Sequence, residues 1–234
     1  MDRKTRKLAL AAGVLYLVTF VASIPTLGLK APLVNHPEWI LGHGSDTGVI
    51  LACLMDFVCA LAGVGTAIAL FPVVRRLRPT AAIGFLASRT IEGVILVVGA
   101  ISLLSIVTLR GSGGDTASMM TASRSLLAAH HWAFLFGPGT MPAINALFLA
   151  TVMYRFRLAP RFIPLMGIVG APLLLTSGLV TMFGGWSQSS STALVFALPI
   201  AAWEFSIGVY MTVKGFKTST DAVDVPFASP ALAA

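Results

Sequence analysis

Apolar and polar positions alternate on a long scale in this chain. Six apolar stretches are separated by short segments rich in arginine, glycine and proline: Leu8–Leu29, Thr47–Phe71, Thr80–Leu109, Ser125–Tyr154, Phe162–Phe183 and Ser191–Val213. A helix crossing a hydrocarbon layer needs about 20 predominantly apolar residues, so each stretch predicts one transmembrane helix. The third and fourth are long enough to be tilted, kinked or broken. The expected fold class is therefore all-α: an integral membrane bundle of six transmembrane helices, N-in/C-in. Residues 1–217 form a single domain in this reading, and 218–234, polar and rich in small residues, a disordered cytoplasmic tail.

Composition agrees and narrows the choice. Of 234 residues, 56% are hydrophobic and 11% charged, with a mean hydropathy of +0.88, whereas soluble chains carry roughly 25% charged residues. A secreted disulfide scaffold, a nucleotide-binding α/β domain and a zinc module are excluded. The net charge of +7 reflects topology. Clusters at Arg3–Lys7, Arg75–Arg78, Arg155–Arg161 and Lys214–Lys217 put twelve basic residues on one side. Only Lys30, Arg110 and Arg124 fall in loops of the other. By the positive-inside rule both termini are cytoplasmic. With no basic face interleaved with aromatics, no nucleic-acid partner is expected; the expected partner is the lipid bilayer.

The 22-residue first stretch exceeds the 7–15 residues of a signal-peptide core, so the helix is expected to be retained. The segment Lys30–Asp46, with Trp39, is expected to lie on the outer interface as a short amphipathic cap. Cys53 and Cys59, six positions apart on one helix, are separated by about 9 Å of rise, too far for a disulfide.

Polar residues inside the stretches carry the candidate chemistry. Asp56, Arg89, Glu92 and Glu204 are ionisable groups at membrane depth, together costing about 10–14 kcal/mol of insertion energy. They are expected to face the bundle interior and to converge. Arg89 and Glu92 are i,i+3 and share a face. Three carboxylates against one guanidinium leave a formal charge of −2 in the bilayer, so a carboxyl must hold a proton or a histidine must charge beside it. His130, His131 and Trp132 stand at one entrance of the fourth stretch. Adjacent histidines point about 100° apart and cannot readily ligate one ion, so neither a metal nor a cofactor is expected. In the same stretch Gly137-Pro138-Gly139, followed by Asn145, is poor helix sequence, because Pro138 lacks the amide that would bond residue 134. A broken helix at this depth is tolerated against protein or a hydrated cavity. Small residues at 3–4 spacing (Ala52, Cys53, Cys59, Ala60, Gly63, Ala67) surround Asp56 and predict a helix-contact face. Ala12, Tyr16, Thr19 and Ser23 form a polar-small stripe on the first helix.

Several motifs together resemble one known family. They are Ala12-Gly13-Val14-Leu15-Tyr16-Leu17, Phe71-Pro72-Val73-Val74-Arg75-Arg76, and Ser88-Arg89 with Ile91-Glu92-Gly93. Next come His130 with Trp132 and Phe136-Gly137-Pro138-Gly139, then Ala201-Ala202-Trp203-Glu204 and Val213-Lys214-Gly215-Phe216. This set is similar to the bacterial multi-pass membrane family catalogued as domain of unknown function 4386. His131 stands where the family pattern has an acidic or polar residue. The resemblance implies a bacterial inner-membrane protein of about six helices and nominates Arg89, Glu92, His130, Trp132 and Glu204, with Trp203 beside the last. It implies no activity.

Three functional classes follow. The leading reading is transport or binding of a small solute, linked to proton exchange at Glu92 and Glu204, with Arg89 as counter-ion and anion contact. One bundle is small for alternating access, so a homodimer would suit it. The others are a structural or regulatory membrane protein without ligand chemistry, and an intramembrane enzyme acting on a lipid or isoprenoid with His130 as base.

Overall fold

The computed structural model describes residues 3–42 and 44–217; the expected tail at 218–234 lies outside the described residues. Among the described residues seven α-helices follow in order: α1 (Arg3–Asn35), α2 (Asp46–Leu77), α3 (Pro79–Ser112), α4 (Thr116–Phe136), α5 (Met141–Arg155), α6 (Phe162–Met182) and α7 (Ser191–Val213), with a 3-10 turn at Pro37–Leu41. Among the described residues there is no strand. Taken with its break, α4–α5 is one span, so six helical segments of the described residues are long and apolar enough to cross a membrane. This is a multi-pass membrane protein.

Neighbours in sequence are neighbours in space. The spans pack α1 on α2, α2 on α3, α3 on the α4–α5 pair, α5 on α6 and α6 on α7, and α7 returns to α1. The result is a closed ring. Small residues make the contacts close: on α2, Ala52, Cys53, Ala60, Gly63 and Ala67 are buried with Asp56. A Cβ added at Gly170 of α6 would lie 2.9 Å from the Ile200 amide nitrogen, and one at Gly208 of α7 would lie 3.0 Å from the Tyr16 Cβ. Both glycines are needed for the approach itself. Arg6, near the start of α1, donates to the carbonyls of Met211 and Thr212 at 2.9 Å each and of Val213 at 3.0 Å. It thereby satisfies carbonyls at the end of α7 that have no partner within their helix. The start of α1 and the end of α7 therefore lie at the same end of the bundle.

Two expectations are corrected. The first helix does not stop at Leu29 but runs through Lys30 to Asn35, with Pro25 and Pro32 inside it. Lys30 is no loop residue; it is 4% exposed, its charge balanced from α2. The segment after it is a surface cap on one side only, with His36, Glu38 and Leu41 exposed. Trp39 and Ile40 are buried in an apolar cluster with Leu33, Val49, Leu103 and Ile106, and the Ser123 hydroxyl on α4 donates to the Pro37 carbonyl at 2.9 Å. The Arg110 guanidinium covers the Trp39 ring at 4.3 Å. Nearby, Asp115 caps α4 by accepting from the Ser118 amide at 2.9 Å. Those hydrogen bonds hold its carboxyl below the usual carboxylate range.

Candidate functional site

The break in the fourth span is built by its own residues. Pro138 cannot donate, so the Phe134 carbonyl accepts from the Gly139 amide at 2.9 Å. The Leu135 carbonyl accepts from the Thr140 hydroxyl at 2.7 Å. Gly139 is required here, since a Cβ would lie 3.1 Å from the Leu135 Cα. Gly137 is buried where a Cβ would crowd Ile95 of α3 at 3.1 Å. The break therefore has its carbonyls satisfied within the protein while turning Pro138 and Gly139 toward the centre of the ring.

At that centre lies a cavity of about 350 Å³, within the usual range of small-molecule sites. All six spans line it. Lys30 comes from α1, Asp56 from α2, Arg89 and Glu92 from α3, Pro138 and Gly139 from the break, Ser177 from α6 and Glu204 from α7. Around these groups the wall is largely apolar.

Arg89 organises one end. Its Nη1 donates to Glu92 Oε2 at 3.0 Å, and its Nη2 bonds Glu204 Oε1. Asn145 Nδ2 donates to Glu92 Oε2 at 2.6 Å, tying α5 to the cluster. The guanidinium lies 5.0 Å from the Tyr16 ring centre and 5.7 Å from that of Phe85, a cation–π setting. The Arg89 side chain is 5% exposed and those of Glu92 and Glu204 are 14% each. The cation thus sits behind its carboxylates. Arg89 Nε and Asn145 Oδ1 are inaccessible and have no hydrogen-bond partner among the described residues.

The second polar group changes the expected charge balance. Lys30 Nζ pairs with Asp56 Oδ2 at 3.0 Å, both side chains almost fully buried, and lies 5.7 Å from the Phe134 ring centre. Asp56 lines the same cavity as Glu92 and Glu204 but is paired with Lys30, not with Arg89. Gly63, whose Cβ position meets the Arg89 Cδ, is seven residues further along α2, so the two pairs are offset by about 10 Å along that helix. With Lys30 counted, three carboxylates face two cations, and the formal sum is −1 rather than −2. Sequence reasoning missed Lys30, although Tyr16, Ser23 and Lys30 stand at seven-residue intervals on one helical face.

The remaining candidates lie apart from the cavity. His130 is buried, and its Nδ1 donates to the Gly99 carbonyl at 3.1 Å, where Gly99 leaves it room; it ties α4 to α3. His131 is exposed, and its carbonyl accepts from Gln188 Nε2 at 3.1 Å. Trp132, also exposed, stacks on Phe136 with ring centres 5.8 Å apart. Trp203 is fully buried against Gly167 and packs α7 on α6.

A ring of six spans around such an interior defines a polytopic α-helical membrane protein whose largely apolar cavity holds a few ionisable groups. The chain belongs to the family described as a domain of unknown function (DUF4386), whose family model matches residues 11–215. That match takes in every residue lining the cavity. No curated protein and no solved structure matches the chain.

Proposed function

We propose that this protein binds a small solute within the membrane and couples its binding to protonation of the Glu92–Glu204 pair. The observation that carries this reading is the cavity. A bundle held only by structural ion ties would pack its charges against one another and leave no such space. Here each span contributes to an open volume that meets five charged side chains. Three carboxylates against two cations favour a carboxyl that takes up and gives back a proton. Glu92 is bound by both Arg89 and Asn145, whereas Glu204 has Arg89 alone. The intramembrane-enzyme reading is weaker. The expected base, His130, is engaged by Gly99 and does not line the cavity.

The test is Glu204→Gln. Glutamine keeps the shape and still accepts from Arg89, and the change leaves one guanidinium against one carboxylate, so the variant should fold and insert. In lipid nanodiscs, acidification of the wild type should raise a carboxylic-acid carbonyl band in the infrared that Glu204→Gln and Glu92→Gln each alter. If neither Glu204→Gln nor Glu92→Gln alters that band, the proton-linked reading fails.

For localisation the proposal is the bacterial cytoplasmic membrane, with the start of α1 and the end of α7 both facing the cytoplasm. Twelve basic residues in the segments on that side support it. A reporter fused after Lys217 should be active in the cytoplasm and one inserted at Ser112 active outside. The reverse pattern would invert the orientation.

A further inference from the structure

Three residues both line the cavity and are mostly exposed: Ile24 at 63% and Leu27 at 58% on α1, and Leu194 at 59% on α7. No other lining residue is exposed to this degree. The mouth is thus set between the second half of α1 and the first half of α7. Toward the other end the same two helices are shut by the Phe20–Phe205 edge contact, with ring centres 5.5 Å apart, and by the Gly208–Tyr16 approach. A mouth flanked by large aliphatic side chains on the outer wall of a membrane bundle opens to lipid, not to water.

The charge inside selects what can enter. Lys30 is neutralised by Asp56. Arg89 lies behind Glu92 and Glu204, and its remaining Nε is inaccessible. Of the Arg89 cluster, the carboxylates are the more exposed groups, at 14% each against 5% for the guanidinium. An anion would meet two carboxylates, whereas a cation that donates hydrogen bonds would complete the balance at three charges of each sign. Glu204 and Leu194 are ten residues apart on α7, about 15 Å of rise. A ligand with its charge at Glu204 has room for an apolar body running toward the mouth.

We infer that the cavity takes a lipophilic amine in its protonated form, reached sideways from the bilayer between α1 and α7. This rests on the binding function proposed above and names its ligand class. The probes are octylammonium, ethylammonium and octanoate, titrated calorimetrically into protein-loaded nanodiscs with empty nanodiscs as the blank. Octylammonium should bind in excess of the blank, at least tenfold more tightly than ethylammonium, and octanoate should not bind. Glu204→Gln should weaken octylammonium at least tenfold. Leu27→Trp combined with Leu194→Trp, which fills the mouth, should slow its binding at least tenfold. Leu198→Trp, on α7 but outside the cavity lining, should change nothing. Preference for octanoate would overturn the charge assignment. Equal binding of ethylammonium, or a rate unmoved by the paired tryptophans, would overturn access from lipid. Absence of octylammonium binding while the infrared band of the Glu92–Glu204 pair persists would remove the amine and leave the proton-linked site standing. Loss of both would remove both.

Discussion

Replacing Arg89 with leucine is expected to cost about 3–5 kcal/mol of unfolding free energy, because it strands buried carboxylates on two helices at once. Glu92 and Glu204 reach one guanidinium from α3 and α7, so a single substitution leaves both without a cation while Asn145 still holds Glu92 in place. Arg89→Lys should lose less but not recover the wild-type value. An ammonium is a compact charge without the planar fork that reaches two carboxylates. Combining Arg89→Leu with Glu92→Gln and Glu204→Gln should restore most of the stability, since the stranded charges are then gone. Steric trapping in bicelles measures the unfolding free energy of all three. If Arg89→Leu alone costs under about 1 kcal/mol, the typical size of a mild substitution, the ion triad does not hold the bundle together.

Lys30→Met should be nearly as costly, about 3 kcal/mol, with Asp56 the stranded group. Lys30 Nζ is the cation 3.0 Å from the Asp56 carboxylate. Pairing Lys30→Met with Asp56→Leu removes both charges at similar volume and should return stability to within about 1 kcal/mol of the wild type. A loss in Lys30→Met that Asp56→Leu does not relieve would mean that Lys30 acts through packing rather than through its charge. The two sets of variants are expected to be additive, because the pairs are offset by about 10 Å along α2 and share no hydrogen bond.

Much of this architecture is legible in the order of the amino acids. The length of the apolar runs implies six spans because the hydrocarbon layer has a fixed thickness. Pro138 between two glycines announces a broken fourth span, because a missing amide is a property of the residue itself. The Arg89–Glu92 pair follows from i,i+3 spacing on one helix, and the small-residue face around Asp56 predicts a contact surface. Trp132 and Trp203 look alike in sequence, yet one is exposed and the other fully buried. Aromatic character alone does not say which face meets lipid.

Local features are those the amino acids settle unaided: which segments span, which positions share a helical face, and where the helix breaks. Assembly of the helices was needed to take Lys30 out of the loop count and join it to Asp56, to close Glu204 on Arg89, and to turn His130 to Gly99 instead of the cavity. Assembly also placed the exposed Ile24, Leu27 and Leu194 of α1 and α7 at the edge of the cavity. Those outcomes depend on the order of helices around the ring, their rotation and their axial offset. Close packing at glycines such as Gly170 and Gly208 governs these quantities, and no single helix encodes them. A charge that is costly in one isolated span becomes tolerable only when another helix brings its partner to the same depth.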